Sequence, residues 1–128
     1  MRKFTILLVD DDVNFVDTHK LLLKKHNYRV EVAYNGSECL KKLSDGLEPD
    51  LIILDVIMDT PSEGLEVARK LKATEALKDI PIIMLTSVGE DFIFKYQKDE
   101  THLPVELFLE KPVSPAQLLD EIRRTIKQ

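Results

Sequence analysis

Asp50-Leu51-Ile52-Ile53-Leu54-Asp55 sets four large apolar residues in a row between two acids. So short an unbroken run predicts a strand buried on both faces, because a helix shows its apolar residues as a stripe over a longer stretch. Similar runs recur. Phe4 to Val9 ends in Asp10-Asp11-Asp12, Ile80 to Leu85 ends in Thr86-Ser87, and Val105 to Leu109 ends in Glu110-Lys111-Pro112. Pro81 is compatible with the start of its run, where a residue need not donate to the ladder. Tyr28 to Ala33 differs: Val30 and Val32 alternate with Arg29 and Glu31, which predicts an edge strand with one face partly wet.

Between these runs the spacing becomes helical. Phe15, Val16, Leu21, Leu22 and Leu23 predict a helix reaching about His26, capped by Asp12 or Asn14. Asn35-Gly36 turns into a second helix carrying Leu40 and Leu43, which Asp45-Gly46 ends. A loop from Val56 to Glu63, containing Pro61, leads to a third helix from about Gly64, with Leu65, Ala68 and Leu71 in phase. Phe92, Ile93 and Tyr96 predict a short amphipathic helix, and Lys98 to His102 a polar loop. Ser114 and Gln117 form a capping box for the last helix, with Pro115 in its first turn and Leu118, Leu119, Ile122 and Ile126 on its buried face. Five strands alternating with five helices predict an α/β fold: a doubly wound, five-stranded parallel sheet in a three-layer α/β/α arrangement.

The 128 residues suffice for one domain with one core, so 1–128 is expected to be a single domain with no output domain, repeat or linker. A chain that is 44% hydrophobic and 32% charged, with few Gly and Pro, folds rather than stays disordered. Its net charge of -5 does not attract a phosphate backbone, which argues against free-standing nucleic-acid binding. The one cysteine, Cys39, permits no internal disulfide and is expected to pack in the core, in keeping with a reducing compartment. No apolar stretch has the length of a membrane span, and a strand begins almost at once after Met1, leaving no room for a signal peptide. The expected location is cytoplasmic. His19, His26 and His102 are scattered and receive no phosphate or metal role, and no P-loop or dinucleotide fingerprint is present.

Four of the strand ends carry reactive groups: Asp10 and Asp11, Asp55, Thr86 and Lys111. The second ends in Ala33-Tyr34 and is bland. These groups form one cluster if the strand order is 2-1-3-4-5, the flavodoxin-like order, where ligands bind outside the carboxyl ends of the strands. Three carboxylates together repel one another and need a cation, and an all-oxygen acidic site suits Mg²⁺. A lysine and a hydroxyl across from them would hold phosphoryl oxygens. The chemistry implied is phosphoryl transfer to a carboxylate, with Asp55 as nucleophile.

Taken together, Leu8-Val9-Asp10-Asp11-Asp12, Leu54-Asp55-Val56-Ile57-Met58, Leu85-Thr86-Ser87 and Leu109-Glu110-Lys111-Pro112 resemble, in order and over nearly the whole chain, the response-regulator receiver domains of bacterial two-component signalling, the single-domain chemotaxis type in particular. The resemblance implies that Asp55 accepts a phosphoryl group from a phosphohistidine on a sensor kinase or phosphotransfer protein. It implies Mg²⁺ held directly by Asp11, Asp55 and the backbone carbonyl of Ile57, with Asp10 acting through a metal-bound water. Lys111 would pair with a phosphoryl oxygen, and the Lys111-Pro112 peptide would be cis. Thr86 would move inward to the phosphoryl group, with Phe108 following as an aromatic switch. The output would be a downstream protein or output domain, or a phosphorylation-dependent dimer, without direct contact to nucleic acid or membrane. The protein would be a phosphoacceptor switch and not an enzyme.

Two competing readings use the same residues. In a haloacid-dehalogenase-type phosphohydrolase, Asp10-Asp11-Asp12-Val13 would supply the nucleophile as Asp10, but the chain is short for that fold and lacks a later acidic pair. A constitutive pseudo-receiver would bind partners without phosphorylation, which the intact acids, threonine and lysine argue against. Against the family pattern, Met58 is followed by Asp59 in place of proline, the loop to Gly64 is one residue longer, and Ile57 and Val88 are apolar where polar groups are common. Asp59 brings a fourth acid near the metal ligands. Apolar side chains at 57 and 88 restrict an attacking water, so self-dephosphorylation is expected to be slow. Rapid spontaneous loss of label from the phosphorylated protein contradicts this.

Overall fold

The computed structural model describes residues 3–58, 60, 63–87, 105 and 107–126. Five strands are present: β1 (Thr5–Val9), β2 (Arg29–Ala33), β3 (Leu51–Asp55), β4 (Ile82–Thr86) and β5 (Leu107–Glu110). Among the described residues there are four helices: α1 (Val13–Lys25), α2 (Gly36–Ser44), α3 (Glu63–Ala73) and α4 (Pro115–Ile126). The helix expected around Phe92, Ile93 and Tyr96 and the loop Lys98–His102 lie outside the described residues, as do Asp59, Pro61 and Val88.

All four strand pairings are parallel, and the order is β2-β1-β3-β4-β5. The sheet is covered on both faces, and the pleat divides its side chains cleanly. Leu7, Val9, Ile52, Leu54, Ile82 and Met84 join Cys39 and Leu43 of α2 and Leu65, Ala68 and Leu71 of α3 in one core layer. Ile6, Leu8, Leu51, Ile53, Ile83 and Leu85 join Val16 and Leu23 of α1 and Leu118, Leu119 and Ile122 of α4 in the other. Every residue of β3 and β4 is buried, which is why these strands read as unbroken apolar runs rather than as alternation. In β2, Val30 and Ala33 are buried while Arg29 and Glu31 are exposed, as an edge strand with one wet face requires.

The caps follow local chemistry. Asp12 accepts from the Asn14 and Phe15 amides at 3.0 and 3.1 Å, so it and not Asn14 is the N-cap of α1. Asn35 caps α2, and the Ser114 hydroxyl accepts from the Gln117 amide at 3.1 Å. After α2, Gly46 adopts a φ of 108°, where any side chain would be strained.

Two strand boundaries differ from the sequence reading. β4 starts at Ile82, because Pro81 has no N–H to donate and Ile80 is drawn into a turn, its amide donating to Leu77 at 3.1 Å. The strand also extends through Thr86, which is in register with Glu110. β5 begins at Leu107 rather than Val105. Both corrections move strand residues toward the carboxyl edge of the sheet.

At that edge, Gly64 packs against the end of β3. Its amide donates to the Val56 carbonyl at 2.9 Å, and a Cβ there would lie 1.9 Å from the Asp55 carbonyl oxygen. Only glycine lets α3 lie this close to the backbone of Asp55. Gly64→Ala is therefore expected to cost about 1–3 kcal/mol through forced backbone displacement. A urea midpoint unchanged from wild type contradicts it.

Candidate functional site

The register decides which polar groups meet. Val9 is opposite Leu54, and Asp55 is opposite Leu85. The residues that follow these positions therefore emerge together at one edge: Asp10 and Asp11 after β1, Asp55 at the end of β3, Thr86 at the end of β4 and Lys111 after β5. Carboxylate oxygens of Asp10, Asp11 and Asp55 lie within 4.8 Å of one another. Asp10 and Asp55 are buried, at 1% and 5% exposure, while Asp11 faces solvent.

Lys111 reaches into this cluster. Its Nζ donates to Asp10 Oδ2 at 2.7 Å and lies 3.5 Å from Asp55 Oδ2. The other Asp10 oxygen accepts from the Asp12 amide at 3.0 Å. Lys111 is anchored through its backbone as well, its amide donating to the Thr86 carbonyl at 2.7 Å, and the Lys111-Pro112 peptide is cis. Among the described residues, no buried side-chain nitrogen or oxygen lacks a partner.

The electrostatics follow from burial and crowding. Burial in the sheet edge pushes the Asp55 carboxyl up to about 7, the nearby Asp10 charge adds to this, and Lys111 and a hydrogen bond from the Ile57 backbone oppose it. For Lys111, burial pulls downward but is outweighed by the hydrogen bond to Asp10 and the charges of Asp55 and Asp10, so its pKa lies above the ordinary value. A compact divalent cation fits this donor set. All ligands are carboxylate oxygens, and oxygens that share one such ion in octahedral geometry sit roughly 3–4 Å apart. The three carboxylates are brought close to that spacing with one lysine to offset them.

Of the other residues singled out in the sequence, Thr86 is fully buried at the β4 terminus. Phe108 lies three residues before Lys111 on β5, opposite Met84, and packs partly buried against the α2–α3 core layer. It is a strand residue of the core and does not belong to the charged cluster. One site residue escaped the sequence reading: Phe15, whose ring centre lies 4.3 Å beneath Lys111 Nζ. Its apolar character on a helix marked it only as core.

A doubly wound sheet with acids and a lysine converging at the carboxyl ends of its strands defines an α/β domain with a charged site where such sheets bind ligands. The comparisons with known proteins make the class specific. The family model for the response regulator receiver domain matches residues 6–123. The chain is 32% identical over 124 residues to the phosphate regulon transcriptional regulatory protein PhoB of Pseudomonas aeruginosa, covering 97% of this chain and 52% of that protein. It is 33% identical over 125 residues to the transcriptional regulatory protein ResD of Bacillus subtilis, covering 96% and 48% respectively. Among solved structures, the chemotaxis response regulator CheY4 of Vibrio cholerae superposes with a TM-score of 0.84 at 29% identity, covering 97% of this chain and 99% of that one. The receiver domain of a signal transduction histidine kinase from Syntrophus aciditrophicus superposes with a TM-score of 0.85 at 29% identity, covering 97% and 90%. The chain belongs to the response regulator receiver domain family of two-component signalling. It spans about half the length of the curated relatives it matches.

The raised Asp55 pKa has a stability consequence. The native state holds this proton more tightly than the unfolded chain, whose carboxyl titrates near 3.8. Ionisation of Asp55 therefore costs nothing below the unfolded value, costs progressively more as pH rises toward 7, and costs most above it. Asp55→Asn is expected to stabilise the metal-free protein by roughly 2 kcal/mol near pH 8 and by little near pH 4, in urea unfolding with a chelator present. A difference independent of pH contradicts the assignment.

Proposed function

We propose that Asp55 is the phosphoacceptor of this receiver domain and that the protein is a stoichiometric switch rather than a turnover enzyme. The observation that supports this most directly is the pairing of Lys111 with both buried acids at the end of β3 and β1. Asp10 has both oxygens engaged, one by Lys111 and one by the Asp12 amide, so it is poorly placed as the nucleophile that a dehalogenase-type phosphohydrolase would need. Asp55 lies at the end of β3, with the Lys111 ammonium at the longer distance of 3.5 Å from its Oδ2 and a backbone hydrogen bond from Ile57.

In this reading an Asp55 carboxylate oxygen forms the new bond to phosphorus. The bond from phosphorus to the donor imidazole nitrogen breaks, and its electron pair stays on that nitrogen. Asp11 and Asp55, with the Ile57 carbonyl, would hold Mg²⁺ directly, and Asp10 would do so through water. The ion supplies charge neutralisation for the incoming phosphoryl group. Lys111 would give up its contact to Asp55 and take a phosphoryl oxygen. Thr86 would donate its hydroxyl to another, and Phe108 would follow as the switch residue, converting local bonding into a change at the β4–β5 surface.

The upstream partner in this proposal is a histidine kinase or phosphotransfer protein. The downstream partner is another protein or an output domain, in keeping with relatives about twice as long. We place the reaction in the cytoplasm; no described helix is long and apolar enough to cross a membrane.

Acetyl phosphate or beryllofluoride with Mg²⁺ is expected to modify wild type but not Asp55→Asn, read by intact mass for the first and by a spectroscopic change for the second. Chelation of the metal should abolish both. Equal modification of the two proteins, or repeated turnover of a small phosphomonoester by wild type, overturns the proposal.

A further inference from the structure

Lys111 has three ammonium protons and a flexible four-carbon stem that would ordinarily carry its charge out to water. Here its side chain is only 19% exposed. Two of its neighbours are the carboxylates of Asp10 and Asp55. The third is the face of Phe15, the third residue of α1, with the ring centre 4.3 Å from Nζ. An ammonium over an aromatic face is attracted by the ring quadrupole, and more so where water is excluded.

Phe15 is itself held from several directions. Its amide is one of the two donors to the Asp12 cap, at 3.1 Å, which ties its backbone to the acidic loop. Its ring stacks on that of His19 with centroids 3.9 Å apart and 21° between planes. His19 Nδ1 lies 2.8 Å from the Phe15 carbonyl oxygen, which fixes the orientation of the stacking ring. Phe15 is therefore in contact with both the His19 imidazole and the Lys111 ammonium.

We propose that Phe15 is a positioning residue for Lys111, supported by His19. The inference rests on the reading of Lys111 as the phosphoryl-binding lysine and adds the group that aims it. On phosphorylation Lys111 must exchange an Asp55 oxygen for a phosphoryl oxygen. Its bonds to carboxylates are directional and must break for that exchange. The attraction of the ring face needs no single hydrogen-bond direction, so the ammonium keeps it through a small shift as long as it stays over the ring. The ring keeps the charge inside the site while its hydrogen-bond partners change.

The test compares Phe15→Leu and Phe15→Met, which keep an apolar side chain without a ring, against Phe15→Tyr and Phe15→Trp, which keep the aromatic face. With saturating Mg²⁺, phosphorylation of Asp55 by acetyl phosphate is expected to slow about 3- to 10-fold in the first pair and to stay within about twofold of wild type in the second. Urea midpoints of all four verify folding. In parallel, NMR of the Lys111 ε-methylene in the unphosphorylated protein should show a ring-current shift and an ordered side chain in wild type, and loss of both in Phe15→Leu. Wild-type rates in the Leu and Met variants overturn the proposal. So do equal losses in all four, which would mean that shape alone matters. If wild type takes no phosphoryl group while the NMR difference persists, the proposed function fails and the positioning of Lys111 by Phe15 stands. If the NMR difference is absent, the positioning fails whatever the phosphorylation result.

Discussion

A single lysine ammonium set between two buried carboxylates is the interaction on which the site depends. Asp10 and Asp55 are almost fully withdrawn from water, and an isolated pair of buried carboxylates would be strongly destabilising. Lys111 offsets that repulsion but cannot cancel it, since Asp11 adds a third acid at the solvent side. That excess of negative charge suits a bound cation. Burial, with the Asp10 charge beside it, raises the Asp55 pKa toward neutrality.

The sheet creates this crowding through register alone. Parallel pairing in the order β2-β1-β3-β4-β5 puts the carboxyl ends of β1 and β3 side by side, with β4 and β5 continuing the same edge. Ladder bonds carry the alignment right to the reactive residues: the Val56 amide donates to Leu85 at 2.9 Å, and the Lys111 amide donates to Thr86 at 2.7 Å. The interior layers hold these strands rigidly, because every inward residue of β3 and β4 is wedged between helices on both faces. Close approach of α3 at Gly64 completes the support from the crossover side. Precision at the site therefore comes from the core, even though the site residues contribute little apolar burial themselves.

Much of this was legible in the sequence, for physical reasons that differ by element. The central strands announce themselves because burial on both faces demands uninterrupted apolar runs, and the acids stand where those runs stop. Strand order followed from asking which ends carry charge: only the β2 end is bland, and β2 is indeed the edge strand beside β1. The apolar run predicts a strand from Ile80 with Pro81 tolerated near its start, whereas the missing N–H and the turn at Ile80 shift the ladder to Ile82. Phe15 illustrates a harder limit. Its role depends on a side chain nearly a hundred residues away arriving over its ring, and helical periodicity records only that its position is apolar.

The placement of Phe15 bears on how a receiver reconciles a rigid scaffold with a movable charge. Hydrogen bonds to Asp10 and the Thr86 carbonyl fix where Lys111 starts, but a lysine bound only by directional contacts would have to leave the site to change partners. In the proposed reading an aromatic face eases that requirement, since it attracts the ammonium without a directional hydrogen bond while the ammonium stays over the ring. Rigidity is thus confined to the backbone and to Phe15, where α1 capping and the His19 stack supply it. Within that frame the Lys111 ammonium is the charge that changes partners in the proposed reading. The arrangement permits a small displacement of charge at the sheet edge.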